Sequence, residues 1–141
     1  MTPGPGTGES SDLRVVQSNL TFPILYPGYL PYDAAIVSAR WWGDGTVTEL
    51  HLVSDDPALP IRGLLTIKEW SDAGIPELGA GTPGRNVDAQ REELAGTLWF
   101  VSTEGGVCMV EGRPQSTNVQ LLGVLSADET LQVAGSLQPV N

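Results

Sequence analysis

From Ile36 to Leu125 the chain is a succession of short apolar segments of strand length, cut apart by glycine, proline and aspartate. Such a pattern predicts antiparallel strands joined by turns. Ile36 to Trp42 is rich in β-branched and aromatic residues, Gly43-Asp44-Gly45 supplies a turn, and Thr46 to Val53 is the returning strand. Asp55-Asp56-Pro57 and Pro60 end that hairpin. Ile61 to Trp70 reads as a third strand, with Gly63 marking a bulge or a close backbone approach. Thr97 to Ser102 and Val107 to Glu111 form a second hairpin across Glu104-Gly105-Gly106. A turn at Gly112 to Thr117 leads to a sixth strand, Val119 to Leu125.

Other segments break the pattern. Ser71 to Asn86 is a Gly/Pro-rich loop, and the charged run in Val87 to Gly96 fits either a helical turn or a polar strand edge. Near the end the period changes. Ser126 followed by Glu129 is a capping-box signature, and Leu131, Ala134 and Leu137 recur at helical spacing until Pro139. Thr21 to Pro31 holds three prolines among aromatics, which excludes a helix interior or a central strand and leaves an extended, packed connector. Leu13 to Val16 is a strand or the last of a linker. Met1 to Asp12 reads as a flexible linker. The expectation is one α+β domain over residues 13–141, mainly β: a curved antiparallel sheet of about six strands with a C-terminal helix packed on it.

Charge narrows the partners. The chain has 141 residues and a formal net charge of −10. A domain of this length buries roughly 70% of its unfolded surface, enough for a real core. The acidity argues against nucleic acid and against anionic lipid head groups. No apolar run reaches the length of a membrane-spanning helix. A Met followed directly by linker is what an ectodomain separated from a membrane anchor would show. The expected setting is then extracytoplasmic, and otherwise cytoplasmic.

Candidate chemistry is sparse. The single cysteine, Cys108, sits among Val107, Met109 and Val110 and reads as a buried strand residue. His51, the one histidine, lies between two leucines and reads as surface-facing or hydrogen-bonded. No Cys or His pair has metal-ligand spacing, and no cofactor is implied. Gly79 to Gly84 matches G-x-G-x-x-G, but Pro83 removes a donor and no βαβ unit frames it. No catalytic residue is singled out, although a carboxylate pair assembled in space would escape a reading of this kind.

The tryptophans carry more. Trp41 and Trp42 are consecutive on a strand, so they face opposite sides of the sheet. One enters the core; the other needs a helix, the Phe22–Pro31 connector or a ligand to cover it. Trp42, Trp70, Trp99 and Tyr29 are the candidate ligand-binding residues of an apolar groove.

The order of these signals resembles a known family. Phe22-Pro23-Ile24-Leu25-Tyr26-Pro27-Gly28-Tyr29-Leu30-Pro31 opens a run of antiparallel strands, and the last strand enters Leu125-Ser126-Ala127-Asp128-Glu129-Thr130-Leu131-Gln132-Val133-Ala134-Gly135-Ser136-Leu137. This is similar to the extracytoplasmic domains of some bacterial anti-sigma factors and lipoproteins, which resemble the lipoprotein-localisation carriers. The resemblance implies an antiparallel half-barrel with helix in its concave side, a membrane-anchored parent chain and no shared catalytic residues. The functional expectation is a non-enzymatic binding or sensor domain taking a hydrophobic ligand or a protein partner. A protein-interaction module using an acidic face or a sheet edge is the alternative, and a hydrolase with spatially assembled carboxylates comes third.

Overall fold

The computed structural model describes residues 7–42, 45–54, 56–57, 63–71, 90–94, 96–114 and 117–139. The Gly/Pro-rich loop beyond Ser71 with its G-x-G-x-x-G run, most of the Gly43-Asp44-Gly45 turn, Asp55, Pro60 and the first six residues lie outside them. Ten strands and two helices are described: β1 (Gly8–Ser10), α1 (Leu13–Ser18), β2 (Leu25–Pro27), β3 (Ala35–Trp42), β4 (Val47–Val53), β5 (Gly63–Trp70), β6 (Gln90–Leu94), β7 (Thr97–Glu104), β8 (Val107–Gly112), β9 (Asn118–Gly123), α2 (Ala127–Gly135) and β10 (Leu137–Pro139). The protein is mostly β, as the alternating segments predict.

Eight strands form one antiparallel sheet in the order β1-β3-β4-β5-β9-β8-β7-β6, open at both ends, and β10 pairs with β2 in a separate ribbon. The sheet therefore exceeds the expected six. The added strands are the two edges, both short and polar, where no hydrophobic alternation announces them. Gly8–Ser10 is not linker but pairs with β3, Gly8 opposite Trp41. The charged segment resolves as edge strand β6 rather than a helical turn.

Two further expectations change. Leu13–Ser18 is a helix, started by Asp12, whose carboxylate accepts the Arg14 N–H at 2.9 Å. At the other end the helix stops at Gly135, and Leu137 begins β10 instead of continuing the helical stripe. The capping box itself is formed: Ser126 Oγ accepts the Glu129 N–H at 3.1 Å, and Glu129 Oε1 accepts the Ser126 N–H at 3.2 Å.

Strand alternation gives the sheet two unlike faces. The inner face carries the core: Ala39, Leu50, Ile67, Leu121 and Val110 lie in register across five strands and are all buried. α2 packs Val133 and Ala134 into this core, and the connector contributes Ile24 and Leu25. Two tryptophans bracket the core by one device. Trp41 lies over Gly8 and Trp99 over Gly112, and a Cβ at either glycine would come within 2.3 Å and 2.5 Å of the ring. Each large ring thus covers a neighbouring strand that has no side chain there.

Candidate binding site

The four candidate residues do not converge. Trp99 is on the inner face, 1% exposed, as part of the core. Trp42 and Trp70 are on the outer face, on either side of Val47. Trp70 is nearly buried there. Trp42 is held by cations, with the Arg40 guanidinium 5.7 Å and the Lys68 ammonium 5.4 Å from its ring centre. Tyr29 is well exposed beside the β2–β10 ribbon, and its N–H donates to Ser136 Oγ at 3.1 Å. The sheet therefore sets Trp99 apart from Trp42 and Trp70, and the three do not line one groove.

The outer face around Trp42 is an ion-pair network. Arg40 donates to Glu49 Oε1 at 2.9 Å, His51 Nε2 lies 2.9 Å from the same oxygen, and Lys68 Nζ stands 4.0 Å from Glu49 Oε2. His51 thus stands beside Glu49 on the face opposite Cys108, so the two cannot form a nucleophile–base pair. Burial pushes the Cys108 thiol up, away from the reactive thiolate.

One carboxyl is wholly enclosed. Glu69 stands on the inner face, 0% exposed, between Thr48 and Val119 in register. Its Oε1 accepts the Leu25 N–H at 2.8 Å, which ties the connector to the sheet. Its Oε2 has no partner. Burial raises the Glu69 pKa well above the usual carboxylate range, and the Leu25 bond only partly opposes this. A neutral carboxyl shut in the core works as a clamp; it meets no solvent-accessible cleft.

The open apolar groove lies elsewhere, between α2 and the sheet edge. A cavity of about 560 Å³ is lined by Glu92 and Leu94 of β6 and by Asp128, Leu131, Gln132 and Gly135 of α2. Leu94 and Leu131 are its apolar groups, both packed against the core from its margin. Glu92 and Asp128 are exposed at its rim. Gly135 leaves room: a Cβ there would touch only Leu94 Cδ1, at 3.7 Å. Leu131 is legible in sequence from the helical period. Glu92 and Leu94 have no such signal, because β6 follows a long irregular segment and its partner helix lies more than thirty residues ahead. Of the sequence candidates, Trp99 stands opposite Glu92 on the inner face but is buried in the core, and Tyr29 comes near through Ser136, the residue after Gly135.

A second cavity, of about 620 Å³, opens where a bulge at Val37 interrupts β3, lined by Tyr32, Asp33, Ala35, Val37, Val53, Asp56 and Pro57. Tyr32 and Asp33 are consecutive non-glycine residues in the left-handed region, φ 57° and 53°. The turn is fixed by Ser54 Oγ donating to the Tyr32 carbonyl and by a Tyr32–Glu129 hydrogen bond. That bond holds the Glu129 carboxyl below its usual range and pushes the Tyr32 phenol up.

Among the described residues no group of three or more His, Cys, Asp or Glu is placed to hold a metal ion. None of the described helices is long and apolar enough to cross a membrane. No family model, curated protein or solved structure matches this chain.

Proposed function

We propose that this chain is a non-enzymatic binding or sensor domain whose ligand site is the α2–β6 groove, on the concave side of a half-barrel-like sheet. The observation that carries the reading is the groove itself. Helix α2 closes onto β8 and β7 with one flank and leaves Leu131 facing Leu94 across an open channel with the other. Partly buried apolar side chains converging in a concavity, with a few polar groups at the rim, are the features of a binding site. Glu92 and Asp128 stand in open water rather than in a dry cleft, so we assign them to charge recognition and not to hydrolysis. The extracytoplasmic setting, beyond the anchor of a longer parent chain, rests on the sequence resemblance and is part of the same proposal.

The test is titration with the uncharged, environment-sensitive dye Nile red, comparing the native chain with Gly135→Phe. The phenyl ring would fill the channel at the one lining position that has no side chain. Saturable dye binding that Gly135→Phe removes, with the unfolding transition unchanged, supports the groove. Absence of binding, or binding indifferent to the substitution, counts against it.

A further inference from the structure

We infer that the groove is completed by an extended segment of a partner protein, which adds to β6 as a ninth strand, antiparallel, with side chains in the order apolar, basic, basic, acidic. The inference rests on the groove reading and gives it a ligand class.

β6 is the terminal strand of the sheet. It is bonded to β7 on one side, and among the described residues no strand pairs with the other. Alternate residues of such a strand turn N–H and C=O groups outward, which is the template for strand addition. The opposite edge, β1, is only three residues long, against five for β6.

Side-chain alternation then sets the order. Glu92 and Leu94 face the inner side and line the groove, while Arg91 and Glu93 face the outer side. The Arg91 guanidinium is 5.8 Å from the Phe100 ring centre, so the strand's one cation is committed to the outer face. The described lining of the groove contains no basic group, and its charged residues are Glu92 and Asp128.

Directly opposed side chains on neighbouring strands interact, and opposite charges are favoured. An antiparallel newcomer, read from its N-terminus, meets Leu94, Glu93, Glu92 and Arg91 in turn. It therefore wants an apolar residue beside Leu94 and Leu131, two basic residues opposite the glutamates, and an acidic residue opposite Arg91. The basic residue facing Glu92 also lies on the side of Asp128. The strand's charges oppose a second copy only where Glu92 would meet its own equivalent, since antiparallel pairing about that residue sets Arg91 against Glu93. They invite a partner of complementary charge.

The experiment is an NMR titration of the isotopically labelled chain with the end-capped peptide Thr-Val-Lys-Lys-Glu-Thr. Saturable shifts in the amides of residues 90–94 and in Leu131 are expected. The charge-reversed peptide Thr-Val-Glu-Glu-Lys-Thr should bind at least about fivefold more weakly, since three cross-strand pairs become repulsive. N-methylation of the peptide at two alternate residues should weaken binding about tenfold or more by removing edge hydrogen bonds. The inference is overturned by any of three results: no saturable shift in β6, equal binding of the N-methylated peptide, or shifts confined to α2, which would mark a small amphiphile. Nile red separates the two readings. Dye binding sensitive to Gly135→Phe with a silent β6 leaves the groove and removes the strand partner; failure of both removes both.

Discussion

Replacing Glu69 by Gln separates the clamp from the charge. The amide oxygen can still accept the Leu25 N–H, and volume is kept, so the connector stays tied to β5. Only the titrating proton is lost. In the unfolded chain a glutamate ionises near pH 4.3. In the folded protein burial holds the same group neutral to well above that pH. Between the two values the folded state binds a proton that the unfolded state has released. Stability therefore falls as pH rises through that window, by at most about 1.4 kcal/mol per pH unit from this one group, and levels off above the folded pKa. The contribution is fully present below the unfolded value and lost as pH rises through the folded one. Gln removes the slope, so the gap in unfolding free energy between variant and parent should widen in the variant's favour with pH. At about pH 4 the two should agree to within about 1 kcal/mol, the uncertainty being the buried amide N–H₂ that needs a partner. Urea unfolding of both proteins, in steps from about pH 4 to about pH 7, reads the difference directly. Glu69→Leu completes the set: it orphans the Leu25 N–H and should cost about 1–3 kcal/mol even at low pH. Parallel stability curves for Gln and parent, or a gap that widens against Gln, would refute the argument.

Gly112→Ala drives a methyl group into the Trp99 ring, 2.5 Å from its nearest atom, and should cost about 1–3 kcal/mol with altered near-ultraviolet circular dichroism. Ser126→Ala removes the acceptor for the Glu129 N–H and should lower stability by about 1 kcal/mol, seen as a shifted urea midpoint at unchanged slope. Tyr32→Phe removes the hydrogen bond that favours the ionised Glu129; the Glu129 titration midpoint, followed by NMR, should rise toward the ordinary carboxylate range. The sign follows: stability that Glu129 contributes above its unfolded pKa, and loses as pH falls through its folded one, should shrink in the variant.

What the sequence makes legible tracks how local each signal is. The Val107–Gly112 strand and its turn are readable because Gly105 and Gly106 both take positive φ, as a tight hairpin demands. The start of α2 is readable because a capping box is a four-residue event. Its end is not: Leu137 keeps the helical spacing, but pairing with Pro27 across the chain prevails over the local period. β1 escapes because an edge strand needs no apolar alternation, only a neighbour, and for the same reason the segment holding β6 reads equally as a helical turn or a polar strand edge. The candidate residues are scattered for a related reason. Aromatic residues signal burial, and Trp70 and Trp99 are indeed buried, on opposite faces of one sheet. The groove falls instead where a helix and a sheet edge diverge, a relation between distant segments that no single stretch encodes.

The β2–β10 ribbon has a consequence for how the molecule comes into being. Tyr29 and Ser136 are bonded across 107 residues, and Leu25 is held at once by β10 and by Glu69. Leu137–Pro139 leave the ribosome after every strand of the large sheet. Until α2 and then these residues arrive, the apolar inner face around Leu50, Ile67 and Leu121 lacks first its helix and then its clasp. Contacts of such long sequence separation are slow to form, on the millisecond-to-second scale for all-β chains. A nascent chain paused before α2 should accordingly remain adhesive to chaperones and open to proteases. The closing of a three-residue strand then marks the moment the domain becomes inert.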